Sequence, residues 1–76
     1  MKTREEILTK AEELKDFEGN AVQEESHFIL IDIAGDSDED MFSEDGILDM
    51  LYSMSQQEAD PVVSEAADIV LKFIHS

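Results

Sequence analysis

Apolar side chains recur at helical spacing in four segments of the chain, which predicts four helices. The first segment, residues 3–17, places one apolar face against a charged one: its apolar positions are Ile7, Leu8, Ala11 and Leu14. Thr3 and Glu6 are spaced as a capping box, which begins a helix. Gly19 is placed to end the helix as a left-handed C-cap.

The second segment, residues 20–34, fits a helix or a strand. Asn20 is a favourable N-cap, Gly35 a favourable stop, and the apolar face contains Val22, Ser26, Ile29, Leu30 and Ile33. Residues 28–33 also form a short run of alternating β-branched residues, which is typical of a strand. A lone strand leaves its backbone groups unpaired and no second strand is evident, so we favour the helix.

The last two segments have clear helix starts. Ser43 is the expected N-cap of the third, and its apolar arc contains Ile47, Leu48, Met50, Leu51, Tyr52 and Met54. Asp60 followed by Pro61 begins the fourth. Its apolar residues cover more than half of the helix circumference: Val62, Val63, Ala66, Ala67, Ile69, Val70, Leu71, Phe73 and Ile74.

The four segments together predict an all-α fold, a small four-helix antiparallel bundle that forms one acidic domain over residues 1–76. The alternative is an α+β fold with a strand at residues 28–33. The last helix has a wide apolar arc, and Phe28 and Ile31 lie off the main apolar face of the second helix. These features fit two arrangements. These residues are central in an irregular bundle, or they form a homodimer seam.

Composition narrows the classes of function. Twenty acids against five bases give a net charge of −15, the wrong sign for binding nucleic acid or an anionic membrane. The chain has no cysteine, which excludes disulfides, thiol catalysis and cysteine-ligated zinc. It has no apolar run of about 18 residues and no leader pattern, so we expect a cytoplasmic protein.

The charge is also unevenly distributed. Four of the five bases fall in the first fifteen residues, and none lies between Phe17 and Leu71. Acids in the first turn of a helix complement its dipole, but the run Asp36, Asp38, Glu39 and Asp40 has no such local reason. Because like charges destabilise a small compact domain, this excess indicates that the negative field is used.

A strongly basic protein surface is the natural target of that field. Carboxylates three or four residues apart on a helix lie about 5–6 Å apart, so they can take the place of phosphates in a groove lined with arginine and lysine. We therefore predict a non-enzymatic inhibitor that occludes the nucleic-acid-binding surface of a partner, without binding nucleic acid or membrane itself. This composition is typical of phage-encoded inhibitors of restriction or CRISPR systems; a plain acidic structural subunit is the alternative. The predicted contact residues are Asp36, Asp38, Glu39, Asp40, Glu44 and Asp45, with Met41 and Phe42 as apolar anchors.

A second alternative comes from the segment from Asp32 to Ser37, Asp-Ile-Ala-Gly-Asp-Ser, which resembles the segment around the phosphopantetheine-bearing serine of acyl carrier proteins. The resemblance implies a four-helix carrier with phosphopantetheine attached to Ser37. No other cofactor and no catalytic residue is predicted. Asp36, Asp38 and Asp40 resemble the start of a calcium loop, but Met41 and Ile47 replace its glycine and chelating acid, so no metal site is predicted. His27 is expected to face solvent.

Overall fold

A computed structural model describes residues 2–35, 44–57 and 59–76, and these residues are all-α. The helices are α1 (Arg4–Glu13), α2 (Ala21–Gly35), α3 (Glu44–Ser55) and α4 (Pro61–His75). They form the small four-helix bundle that the pattern predicts. Residues 28–33 lie within α2, so the alternative of a strand there is wrong. No helix in the described ranges is long and apolar enough to cross a membrane.

Three helices begin where the sequence predicts. The Glu6 amide donates to the Thr3 hydroxyl (3.2 Å) and the Thr3 amide to Glu6 Oε1 (3.1 Å), which completes the capping box. The Gln23 amide donates to Asn20 Oδ1 at 3.0 Å. At α4, Asp60 Oδ1 accepts from the amides of Val62 and Val63. Ser43, the predicted cap of α3, lies outside the described residues.

The end of α1 differs from the prediction. The helix stops at Glu13, and Gly19, with φ of 81°, forms the turn before α2 instead of capping α1. The early exit is stabilised from α2: the Gln23 side-chain amide donates to the carbonyl oxygens of Leu14 and Asp16, both at 3.2 Å. Carbonyls that a longer helix would have used are thereby satisfied by a neighbouring element.

Two polar contacts fix α1 antiparallel to α2. Arg4 Nε donates to the carbonyl oxygen of Ala34 (2.5 Å), near the start of one helix and the end of the other. Further along, His27 Nδ1 donates to the Ala11 carbonyl oxygen (2.6 Å). Arg4 also supplies a cation to the negative end of α2, whose own last turn contains no base.

The core lies where α4 packs against both α2 and α3, and where α1 packs on α2. Its buried apolar residues are Ile7, Ala11, Ile29, Leu30, Ile33, Ala34, Leu51, Ala66, Ala67, Val70 and Ile74. The wide apolar arc of α4 therefore serves two neighbours. The one buried polar side chain in the described ranges, Ser26, donates to the Val22 carbonyl oxygen at 2.8 Å.

The predicted apolar arc of α3 is too wide. Met50 is 43% exposed and Tyr52 is 64% exposed, whereas Leu51 is fully buried. The reason is that α3 packs on α4 through a narrower apolar face. The side chains of that face are Ile47, Leu48, Leu51 and Met54.

Leu51→Ala tests this assignment of the α3 face. Truncation of a buried leucine costs about 2–5 kcal/mol, a large part of the about 4–11 kcal/mol expected at about 0.05–0.15 kcal/mol per residue. We expect much of the variant to be unfolded in urea titrations followed by circular dichroism. Tyr52→Ala, in the adjacent exposed position, is the matched control and should unfold close to the wild-type midpoint. Equal losses in the two variants would contradict the orientation of α3.

Candidate functional site

The four lysines of this protein pair with acids that are close to them in the chain. Four lysines form ion pairs with acids three or four positions away: Lys2 with Glu6 (3.9 Å), Lys10 with Glu13 (3.5 Å), Lys15 with Glu12 (2.6 Å) and Lys72 with Asp68 (2.9 Å). Lys2 and Lys10 also lie over the ring of Phe73, 5.4 and 5.6 Å from its centre. The lysines therefore neutralise three acids of α1 and one acid of α4.

The acids of α2 and α3 whose side chains the structure describes form no such pairs. Glu24, Glu25, Asp32 and Asp49 have no ion-pair partner among the residues that the structure describes, and neither helix contains a lysine or arginine. Asp32 also stands in the last turn of α2, where the helix dipole disfavours a negative charge. α2 and α3 are thus the two helices that contain acids and no lysine or arginine.

The predicted contact residues fall mostly between α2 and α3 in the chain. Asp36, Asp38, Glu39, Asp40, Met41 and Phe42 lie outside the described residues, as does Ser37 of the carrier-like segment. Glu44 and Asp45 belong to the first turn of α3, with no description of their side chains. In the sequence, residues 36–42 belong to the segment that connects α2 to α3, and Glu44 and Asp45 begin α3. Neither of these two helices contains a lysine or arginine. The contact set and the modification of Ser37 stay predictions.

An open cleft of about 540 Å³ lies between α2 and α3. Ile29, Ile31, Asp32 and Gly35 line it from α2, and Met50 and Met54 line it from α3. Its lining is apolar except for the Asp32 carboxylate. The sequence pattern did not predict this cleft, because Met50 and Met54 both lie on the apolar arc of α3 and were expected in the core. The position of Ile31 off the main apolar face of α2 was the one sign of it in the sequence.

His27 occupies a different environment from the predicted one. It is half-buried, and its ring centre lies 5.4 Å from that of Phe17 and 5.3 Å from that of Phe28. The prediction of a solvent-facing histidine is wrong because the segment after α1 brings Phe17 back onto α2. The Phe17 and Phe28 rings are 5.7 Å apart, so the three rings form one cluster that holds Phe28 at the surface.

Two paired carboxylates titrate differently from free ones. The hydrogen bonds from Thr3 hold the pKa of Glu6 below its usual value, and the hydrogen bond from Lys15 does the same for the pKa of Glu12. Because these pKa values are depressed in the folded state, both groups stabilise the fold above their ordinary pKa. That stabilisation is lost as the pH falls through the folded value.

The described residues contain a cleft between α2 and α3 and no clustered metal ligands. In the described ranges no three His, Asp or Glu side chains lie close enough together to hold a metal ion. The cleft brings together thioethers, aliphatic groups and one carboxylate, that of Asp32. Comparisons of the chain with known protein families, with curated proteins and with solved structures find no match.

Asp32→Asn tests whether the charge of α2 costs stability. We expect the variant to be more stable than the wild type by about 0.3–1 kcal/mol at low salt, because it removes an unpaired charge from the negative end of the helix. Added salt should shrink the difference. Thermal unfolding followed by circular dichroism measures both effects. Glu12→Gln, which removes a paired carboxylate, should lower the stability; a loss of stability in Asp32→Asn would contradict this description of the charge.

Proposed function

We propose that this protein is a non-enzymatic acidic binding protein that occludes the basic, nucleic-acid-binding surface of a partner protein. The observation that carries the proposal is the uneven pairing of charge: the lysines pair with acids on α1 and α4, whereas Glu24, Glu25, Asp32 and Asp49 of α2 and α3 form no ion pair within the described residues. Unpaired charges of one sign on a small domain repel each other, and a cationic partner relieves that repulsion.

The proposed contact region continues from these helices into the chain that connects them. It comprises Asp36, Asp38, Glu39, Asp40, Glu44 and Asp45, with Met41 and Phe42 as apolar anchors. The carboxylates would occupy arginine and lysine positions that otherwise bind phosphates, with bidentate pairs to arginine. Charge would accelerate association, and burial of the apolar anchors would slow dissociation. Inhibitors of restriction or CRISPR nucleases act on surfaces of this chemistry.

The proposal is tested by displacement. The immobilised protein is incubated with cell extract at about 50 mM salt, where screening is weak, and each captured protein is purified. Its binding to a fluorescent duplex is then measured with and without the acidic protein. We expect the duplex to be displaced, and the displacement to weaken as salt increases. Capture only of proteins that still bind the duplex would contradict the proposal, and so would no capture.

A pair of variants with the same change in net charge tests the contact region. Replacement of Asp38, Glu39 and Asp40 by lysine should abolish displacement, while the helical circular dichroism stays that of the wild type. Replacement of Glu5, Asp16 and Glu18 by lysine, on and after α1, is the matched control and should retain most of the displacement. If the two triple variants lose activity equally, net charge alone is responsible and the assignment of residues 38–40 is wrong.

A further inference from the structure

The outer face of α2 combines large apolar side chains with acids in a regular row. Phe28 is 47% exposed and Ile31 is 40% exposed, although each is large enough to belong in a core. Glu24 and Asp32 stand one helical turn before and after Phe28, so that acid, aromatic ring and acid follow one another about 6 Å apart. Exposed apolar side chains grouped on one face are typical of an interaction surface.

Phe28 is held in place before any partner binds. Its ring contacts those of Phe17 and His27, and His27 is itself fixed by its hydrogen bond to the Ala11 carbonyl oxygen. A side chain that is already ordered loses little conformational entropy on binding. The exposed ring is therefore well suited to be an anchor.

The row continues into the cleft between α2 and α3. Ile31 and Asp32 form part of the cleft wall, and Met50, 43% exposed, faces them from α3. Methionine side chains adapt their shape to an inserted group, so the cleft can accept an apolar side chain of a partner. The outer face of α2 and the cleft thus form one surface, with aromatic and carboxylate groups on the helix and an apolar recess beside it.

Charge determines which partner fits this surface. In a two-fold dimer through this face, a second copy of the chain would bring Glu24 and Asp32 against another set of acids, since neither α2 nor α3 contains a lysine or arginine. An arginine side chain is complementary on two counts: its guanidinium stacks on an aromatic ring, and it pairs with carboxylates on either side. Arginines four residues apart on a helix match the spacing of the row.

We propose that the outer face of α2 and the adjoining cleft dock an arginine-bearing amphipathic helix of the partner protein. A guanidinium lies over Phe28 between the carboxylates of Glu24 and Asp32, and an apolar side chain of the same helix enters the cleft beside Met50. This inference rests on the proposed function and identifies the part of the partner that α2 recognises. It adds a second contact surface to the acidic segment at residues 36–45.

A synthetic helical peptide with arginines four residues apart and a leucine on the same face is the probe. Its affinity for the full chain is measured by fluorescence anisotropy, and the peptide with lysine in place of arginine is compared. We expect Phe28→Ala and Asp32→Asn each to weaken binding by about tenfold or more, and the lysine peptide to bind less tightly than the arginine peptide. Leu8→Ala is the matched control, since Leu8 is 48% exposed among the acids of α1, and it should bind like the wild type.

Other results would overturn the docking surface. No binding would exclude the docking surface, and equal weakening in all three variants would show that the peptide does not contact the outer face of α2 specifically. Weakening by Asp32→Asn alone would show that the peptide senses net charge and not the Phe28 ring. A dimer in sedimentation experiments that Phe28→Ala dissociates would show that a second copy covers the face. Tighter peptide binding after replacement of Met41 and Phe42 by serine would show that the chain's own segment covers the cleft. Displacement of the duplex tests the proposed function separately: if Phe28→Ala still displaces it fully, only the α2 surface is wrong.

Discussion

The close approach of α2 and α3 to α4 is the constraint on which the rest of the molecule depends. Ala66 and Ala67 of α4 are fully buried, and small side chains there let both neighbouring helices come near. The side chains that α2 and α3 contribute to the core are apolar apart from the buried Ser26, and Glu24, Asp32 and Asp49 of these helices are exposed to solvent. The packing that holds the bundle together also sorts its charge.

Local pairing of the lysines reinforces this sorting. Each lysine reaches an acid three or four positions away, and Arg4 is engaged at the end of α2 by the Ala34 carbonyl. The lysines thereby neutralise three acids of α1 and one acid of α4, and they pair with no acid of α2 or α3 within the described residues. A small bundle that tolerates this repulsion gives up stability for a directed electric field, which is the physical basis of the proposed function.

The sequence predicts the features that depend on near neighbours in the chain. The caps at Thr3, Asn20 and Asp60 involve residues within three positions, and all three are present. The end of α1 depends on Gln23, which belongs to the next helix, and the environment of His27 depends on Phe17. Periodicity showed that Met50 is on an apolar arc, but not that α4 leaves it uncovered. The excess of acids between α2 and α3 was visible in the sequence, whereas the cleft required the packing of two helices.

The thioether groups of the cleft give it a chemical sensitivity that a chain without cysteine would otherwise lack. Met50 is 43% exposed and faces Ile31 and Asp32 across the cleft. Peroxide converts such a side chain into a polar sulfoxide, and methionine sulfoxide reductases restore it. In the recess beside α2, this conversion would replace an adaptable apolar wall with a dipole next to a carboxylate. Oxidation of Met50 would then change the proposed docking surface at a side chain that lies outside the packed core.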